Sequence, residues 1–247
     1  MNSILLLNIG NTHTQWGYCD SCGNKVVLAG FVDTQSWMQD ISLLPSDEKF
    51  SSVWAACVVP QARNSLTAAG FYRELHFVDA ANAAAAGLDF SMMDASTLGA
   101  DRIANAAALL KYPLPAACFD CGTAITMEIV DEQHRFAGGA IMPGRKLMRK
   151  SLFSGTAALP ELPLSSVIPE KIGVNTMQAM ALGIDRGAIG MVREMADVAK
   201  SCGVQTMVAA GGDAEFFRQG INELIDGGKE FTLRGIAFIA AKYAVLR

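Results

Sequence analysis

Two stretches decide the fold: Ile4-Leu5-Leu6-Leu7-Asn8-Ile9-Gly10-Asn11-Thr12 and Ala116-Ala117-Cys118-Phe119-Asp120-Cys121-Gly122-Thr123. Each is an apolar run that meets Asn or Asp, then a glycine turn, then a hydroxyl-bearing residue. A short apolar run closed by turn residues reads as a buried strand. The turn exposes backbone N–H groups and sets a small polar side chain beside them, which suits a nucleotide phosphate. One such turn is usually only a hairpin. Two in matching places point to a duplicated device, with two similar half-domains closing on one nucleotide.

The pattern around each turn supports the duplication. Residues 14–19 and 26–31 read as strands, linked by the polar turn 20–24. A helix is expected at 36–43, a strand at 52–58 ended by Pro60, a helix at 61–69, a strand at 75–78 and an Ala- and Leu-rich helix at 101–111. Pro113 and Pro115 break that helix and divide the chain into 1–113 and 114–247. The order then restarts with strands at 116–119, 125–130 and 136–141 and helices at 144–153 and 176–200. A strand at 205–209 runs into Gly211-Gly212-Asp213, where Asp213 is placed to cap the next helix, and a helix at 231–246 follows. Three strands followed by alternating helices and strands, twice over, is a mixed α/β pattern.

Composition narrows the class. The 247 residues are 51% hydrophobic and 18% charged, with a formal net charge of −4. That is a globular composition with no basic cluster, so nucleic acid is not an expected partner. The opening apolar run is too short for a signal peptide and no later run is long enough for a bilayer, so no membrane association and a cytoplasmic location are expected. Six cysteines include the pairs Cys19/Cys22 and Cys118/Cys121. These pairs imitate zinc-ligand spacing, but His13, His76 and His134 complete no ligand set, and free, mostly buried thiols are the expectation.

Several residues carry two readings. Asp101 reads either as a first-turn acid that complements the helix dipole, with Arg102 as its surface partner, or as a general base with Arg102 holding an anionic substrate. Gly99 lets a ligand approach the backbone there. Gly211-Gly212 is a third nucleotide-binding candidate, for adenine or ribose, or an ordinary strand-to-helix turn. Arg145 and Lys146 open a helix against its dipole; solvent exposure accounts for them, or attraction of an anion. Met177, Met180, Met191 and Met195 have helical spacing and are expected in the core.

Taken together these runs resemble the type III pantothenate kinases, in the superfamily of acetate and sugar kinases, Hsc70 and actin. The resemblance rests on Asn8-Ile9-Gly10-Asn11-Thr12, Leu98-Gly99-Ala100-Asp101-Arg102 and Asp120-x-Gly122-Thr123-Ala124-x-Thr126. Gly138-Gly139-x-Ile141-x-Pro143-Gly144, Ser151-Leu152 with Thr156-Ala157-x-Leu159-Pro160, and Gly173-x-x-Thr176 extend it nearly end to end. It implies two ribonuclease H-like domains with mixed sheets flanked by helices, a nucleotide cleft between them, and a homodimer. It implies ATP-dependent phosphorylation of pantothenate, the first step of coenzyme A synthesis. By the same resemblance Asn8, Ile9, Gly10, Asn11, Thr12, His13, Thr14 and Gln15, together with Thr123, would bind ATP. Gly99, Ala100, Asp101, Arg102 and Thr176 would bind pantothenate, with Asp101 as the catalytic base. Asp120 would hold a monovalent cation, potassium or ammonium, and magnesium would accompany ATP.

Two positions depart from the family pattern. Asn8 stands where the family has Asp, and an amide is a weaker ligand than a carboxylate for a hard cation. The stretch Phe90-Ser91-Met92-Met93 lacks the tyrosine that the family tends to carry before the Gly-x-Asp-Arg run. Two rival functions follow from these departures: a non-catalytic nucleotide-binding or regulatory accessory protein on the same scaffold, and a kinase of another small hydroxy acid.

Overall fold

A computed structural model of the protein describes residues 3–245. Its elements run β1 (Ser3–Ile9), β2 (His13–Asp20), β3 (Val27–Asp33), α1 (Thr34–Gln39), β4 (Phe50–Cys57), α2 (Pro60–Ala69), β5 (Leu75–Phe77), α3 (Ala80–Ala85) and α4 (Ala100–Leu109). They continue with β6 (Ala116–Cys121), β7 (Ala124–Val130), β8 (Phe136–Pro143), α5 (Arg145–Gly155), α6 (Thr176–Ser201), β9 (Thr206–Ala210), α7 (Ala214–Gly220), β10 (Leu224–Asp226) and α8 (Phe231–Val245). Residue 246 of the expected last helix lies outside the described residues.

The strands form two five-stranded sheets, β3-β2-β1-β4-β5 and β10-β9-β6-β7-β8. Read from opposite ends, the two orders are the same. In the first, β1 pairs antiparallel with β2 and parallel with β4, and β4 is parallel to β5. In the second, β6 is parallel to β9 and β9 to β10. The duplication expected from the two glycine turns is therefore present in the topology. β1 and β6 sit centrally in their sheets, and their near-continuous apolar runs are buried, as strands covered on both faces require. β3, at an edge, alternates exposed and half-buried positions instead.

The chain divides into two compact units that are not consecutive halves. One comprises Met1–Leu114, Val130–Gly138 and Lys229–Arg247; the other comprises Pro115–Ile129 and Gly139–Gly228. α8, the last element, thus belongs to the first unit. It lies so close to α4 that a Cβ on Gly235 would come 1.8 Å from the Ala104 carbonyl oxygen. Asn105 and Thr232 join the same two helices through a buried hydrogen bond of 2.8 Å. On another face of the first sheet, Leu5, Leu7, Ile9, Trp37, Val53 and Leu66 share a core. In the second unit, Phe119, Ile125, Ile189, Val192 and Phe217 do the same.

Local differences from the expected elements have local causes. The helix expected at 36–43 is split: α1 ends at Gln39, and a 3₁₀ turn, Ile41–Leu43, follows. Asp40 makes the break by accepting hydrogen bonds from the backbone N–H and hydroxyl of Ser42. α3 was not expected, although Asp79 and Asn82 cap it reciprocally. Met180 is buried and Met191 and Met195 pack on the core, but Met177 is 38% exposed. Cys19, Cys118 and Cys121 are buried and burial raises all three thiols, Cys19 to about 12; Cys22 and Cys202 are exposed.

The α4–α8 contact gives a stability test. Gly235→Ala forces the helices apart, and overpacking of this kind costs about 1–3 kcal/mol. A fall in Tm of about 3–10 °C is expected in a calorimetric scan. An unchanged Tm would mean that α8 does not pack on α4 as described.

Candidate functional site

The first glycine turn is held from beneath. The Gly10 N–H donates to the His13 carbonyl at 3.1 Å, closing the turn between β1 and β2. Thr34 ties the turn to the start of α1: its hydroxyl donates to the Gly10 carbonyl at 2.8 Å and its N–H to the Thr12 carbonyl at 3.1 Å. Thr14 is fully buried, with its hydroxyl 3.0 Å from that of Thr34 and accepting the Trp37 indole N–H at 2.7 Å. Thr14 therefore braces the turn rather than facing a ligand. Ile9 is fully buried too, so it offers only its backbone. The Gln15 amide donates to the Lys229 carbonyl. Asn11 and His13 are exposed, and Asn8, Gly10, Thr12 and Gln15 are half-buried, which leaves these six as the accessible part of the stretch.

The second turn lies among three strand ends of its own unit. The Gly122 N–H donates to the Ala124 carbonyl at 3.0 Å, and the Gly144 N–H, at the start of α5, donates to the Thr123 carbonyl at 3.0 Å. A Cβ at Gly144 would come 2.2 Å from the Gly122 carbonyl oxygen, so only glycine admits this approach. Gly211, at φ +87°, does the same for Asp120: a Cβ there would come 2.4 Å from the Asp120 carboxylate. The Asp213 N–H then donates to the Cys121 carbonyl at 2.9 Å. The turn after β9 thus packs against the Asp120 carboxylate, and the start of α5 packs against the Gly122 and Thr123 carbonyls beside it.

Asp213 occupies the position before α7, but its side chain does not cap that helix. Its carboxylate instead accepts Arg145 Nη1 at 2.9 Å. Arg145 is 1% exposed, against the first of its two readings, solvent exposure, whereas Lys146 is exposed. The reason is a set of partners that the sequence separates by tens of residues. Arg145 Nε donates to the fully buried Asp185 at 2.9 Å, its Nη2 to the Ser165 carbonyl at 2.6 Å, and its guanidinium lies 3.3 Å over the Phe216 ring. Arg149, one turn on, reaches both Asp185 oxygens at 2.8 and 2.9 Å. Burial pushes the Asp213 carboxyl up, opposed by Arg145. None of Arg149, Asp185 or the Arg145–Asp213 pairing was expected from the sequence.

Asp101 stands in the first turn of α4. Its carboxylate accepts the Arg102 N–H at 2.8 Å, and a Cβ at Gly99 would come 2.6 Å from it. Gly99 thus makes room for this carboxylate as well as for a ligand. Burial raises the Asp101 carboxyl above the ordinary aspartate value of 3.8, against the pull of Arg102. The Arg102 guanidinium lies 5.9 Å from the Phe136 ring, which stacks on Phe90 at 6.2 Å. The aromatic residue of the stretch without tyrosine, Phe90, thus packs on the ring that Arg102 faces.

Thr176 opens α6, after an Asn175 cap that accepts the Gln178 N–H at 3.0 Å. It lines a groove of about 1100 Å³ between α5 and α6, with Leu147, Leu152, Val174 and Met180. Pro143, beside the Gly144 that packs on Thr123, lines the same groove.

The sequence model that describes type III pantothenate kinases matches residues 4–198. The chain belongs to this family. A type III pantothenate kinase of Exiguobacterium is 36% identical over 62% of this chain and 61% of its own length, and one of Thermosynechococcus vestitus is 35% identical over 54% and 53%. The alignments thus span less than two thirds of these two relatives. A third, from Akkermansia muciniphila, is 31% identical over 78% of this chain and 79% of its own length. Among solved structures, a protein of Campylobacter jejuni described as a Baf family transcriptional activator aligns over 98% of this chain and 99% of its own, with a TM-score of 0.65 and 19% identity. A Clostridium difficile activator of 2-hydroxyisocaproyl-CoA dehydratase aligns over 98% and 94%, with a TM-score of 0.55 and 14% identity. Both likenesses concern the fold.

The buried ion pairs yield a test of their own. Asp185→Asn leaves two guanidiniums facing a neutral amide, and breaking a buried pair costs about 3–5 kcal/mol. Equilibrium urea unfolding of this variant should show that loss. A change below about 1 kcal/mol would mean that the charges are solvated.

Proposed function

We propose that the protein transfers the γ-phosphoryl group of ATP to the primary hydroxyl of pantothenate, giving 4′-phosphopantothenate for coenzyme A synthesis in the cytoplasm. The observation that carries this reading is Asp101. It combines burial, a raised carboxyl, a neighbouring guanidinium and a glycine-opened approach within a family motif. Phosphoryl transfer asks a protein mainly for positioning and charge neutralisation. Asp101 accepts the hydroxyl proton, and its raised basicity brings it closer to the affinity that a base working near neutral pH needs. Arg102 fixes the carboxylate or the amide of the substrate. The accessible N–H groups and side chains of Gly10, Asn11, Thr12 and His13 hold ATP phosphates, and Thr123 is a further ATP contact by the family motif.

The donor set also fits the cations that the family implies. Among the described residues no group of three His, Cys, Asp or Glu side chains converges as a metal cage. Asp120 offers one hard carboxylate beside the carbonyls of its turn, and such a site suits a weakly held monovalent cation, potassium or ammonium. Magnesium keeps most of its ligands as water and phosphate oxygens and would neutralise charge on the transferred group. Asn8 stands near the end of β1, where its amide would be a weaker contact than a carboxylate for such a cation.

The groove beside Thr176 bears on assembly. Ile172 and Val174 are 80% and 86% exposed, and Leu147 and Phe153 are 41% and 48% exposed in the same unit. Exposed apolar side chains that line a groove, here Leu147 and Val174, are what an interface presents. A second copy of the chain covers it in this reading, and sedimentation velocity measures that homodimer.

Asn8 favours one rival, a nucleotide-binding accessory protein without turnover. Two variants separate the readings in a coupled assay of ADP release. Asp101→Ala should lower kcat on the order of 10²–10⁴-fold with ATP affinity nearly unchanged. In the unaltered protein the acid limb of kcat/KM should fall at a pH above the ordinary aspartate range, because the raised carboxyl must lose its proton to act as base. An Asp101→Ala protein with unchanged kcat ends the assignment.

Asn8→Asp restores one negative charge near the hydrated magnesium. It should raise kcat/KM for ATP in a magnesium titration if the chain is a kinase with a weakened metal contact. Absence of turnover in both forms supports the accessory protein instead, and a fall in activity shows a site rebuilt around the amide.

A further inference from the structure

A second concave site lies at the other end of the helix that Asp101 opens. α4 is ten residues long, so its ends are about 15 Å apart. Just beyond its last turn, Lys111 faces a cavity of about 240 Å³. Lys25 enters the same cavity from the turn between β2 and β3, and Arg234 and Lys242 enter it from α8. Four cations from three separate segments therefore line one recess on a chain whose net charge is −4.

The recess is built rather than incidental. Gly23, at φ +72°, lets the turn press on α8: a Cβ there would come 2.6 Å from the Ala237 carbonyl oxygen and 2.9 Å from the Ala241 methyl. Asp20 fixes the rest of the turn by accepting the N–H groups of Cys22 at 3.0 Å and Asn24 at 2.9 Å. Lys25 follows at φ +52°, a backbone conformation unusual for its residue type. The ammoniums of Lys111 and Lys242 stand 4.9 and 5.9 Å from the same Phe238 ring. Glu230 pairs with Arg234. Among the described residues, Lys25, Lys111 and Lys242 have no carboxylate within ion-pair distance. Like charges gathered around one ring repel, and a bound anion relieves that repulsion.

We propose that this recess is an anion site for a small phosphorylated molecule, separate from the Asp101 site. Its size decides the class of ligand. It is smaller than the roughly 300–1,000 Å³ pockets that enclose whole cofactors, so it admits a phosphate or pyrophosphate group and little more. The three ammoniums of Lys25, Lys111 and Lys242 supply charge-assisted donors suited to such oxygens. The occupant bridges the end of α4 to α8, the two helices whose close contact runs through Gly235 and Ala104.

The test is an amide nitrogen–proton NMR titration of the full chain with inorganic pyrophosphate at constant ionic strength, with sodium chloride as the matched control. Saturable shifts are expected at the amides of residues 22–26 and 238–242. In the Lys111→Ala/Lys242→Ala double variant the apparent affinity at those amides should fall at least about tenfold, one strong charge-assisted contact being worth about that factor. Both side chains are exposed, so Tm and any turnover without pyrophosphate should remain those of the unaltered protein. Shifts at the ATP-phosphate turns, for example at Gly10, report a different site and serve as an internal reference. Two results overturn the proposal: linear shifts at 22–26 and 238–242 that chloride reproduces, or saturable shifts there that the double variant leaves unchanged.

Discussion

Asp185 is the fixed point of the second unit. A carboxylate with no solvent exposure persists there because two guanidiniums, from Arg145 and Arg149, occupy both its oxygens. Neither arginine serves Asp185 alone. Arg145 extends to Asp213 and Ser165, and Arg149 reaches the Pro163 carbonyl. The start of α5, the middle of α6 and the turn after β9 are thereby fixed to one another by charge, not only by apolar contact. Desolvating so many charges is costly, and the gain is geometric. Through Asp213 the network sets the turn that lies against Asp120.

Glycine does the corresponding work on the backbone. At Gly144 and Gly211 the chain approaches a neighbouring carbonyl or carboxylate more closely than any side chain would permit. These two residues let the turn after β6 be packed on both sides without losing its polar groups. In the first unit the turn after β1 is secured differently, by Thr34 and the hydroxyl of Thr14. The two sheets share a topology, but the turns that follow their central strands are supported by different chemistry. The shared strand order does not dictate how each turn is braced.

Much of this architecture was legible in the sequence because its signals are local. Apolar runs closed by Asn8-Ile9-Gly10 and Asp120-Cys121-Gly122 mark strand ends without reference to anything distant. Gly99 and Asp101 announce the start of α4 in the same way. What escaped depends on contacts across long separations. Arg145 looks like a solvated cation until Asp185, Asp213 and Phe216 are beside it. Thr14 looks like one more hydroxyl of the phosphate turn, yet Trp37 claims it from below. β10 has three residues, too few for periodicity to register. α3 is the exception, since its Asp79/Asn82 cap and alanine run are local signals. The interleaved units escaped for another reason: Pro113 and Pro115 end a helix, but they do not tell where the last helix will pack.

That interleaving has a consequence for synthesis on the ribosome. The first unit begins with β1 but takes in α8, the last described element, which packs on α4 through Gly235. All the residues of the second unit emerge before α8 does. Domains usually fold in the order in which they are made. Here the unit translated first cannot close until translation has passed through the second. The α4 surface that meets α8 stays exposed in the interval. In the growing chain the order is reversed: the second unit is free to finish first, and the N-terminal sheet waits for its cover.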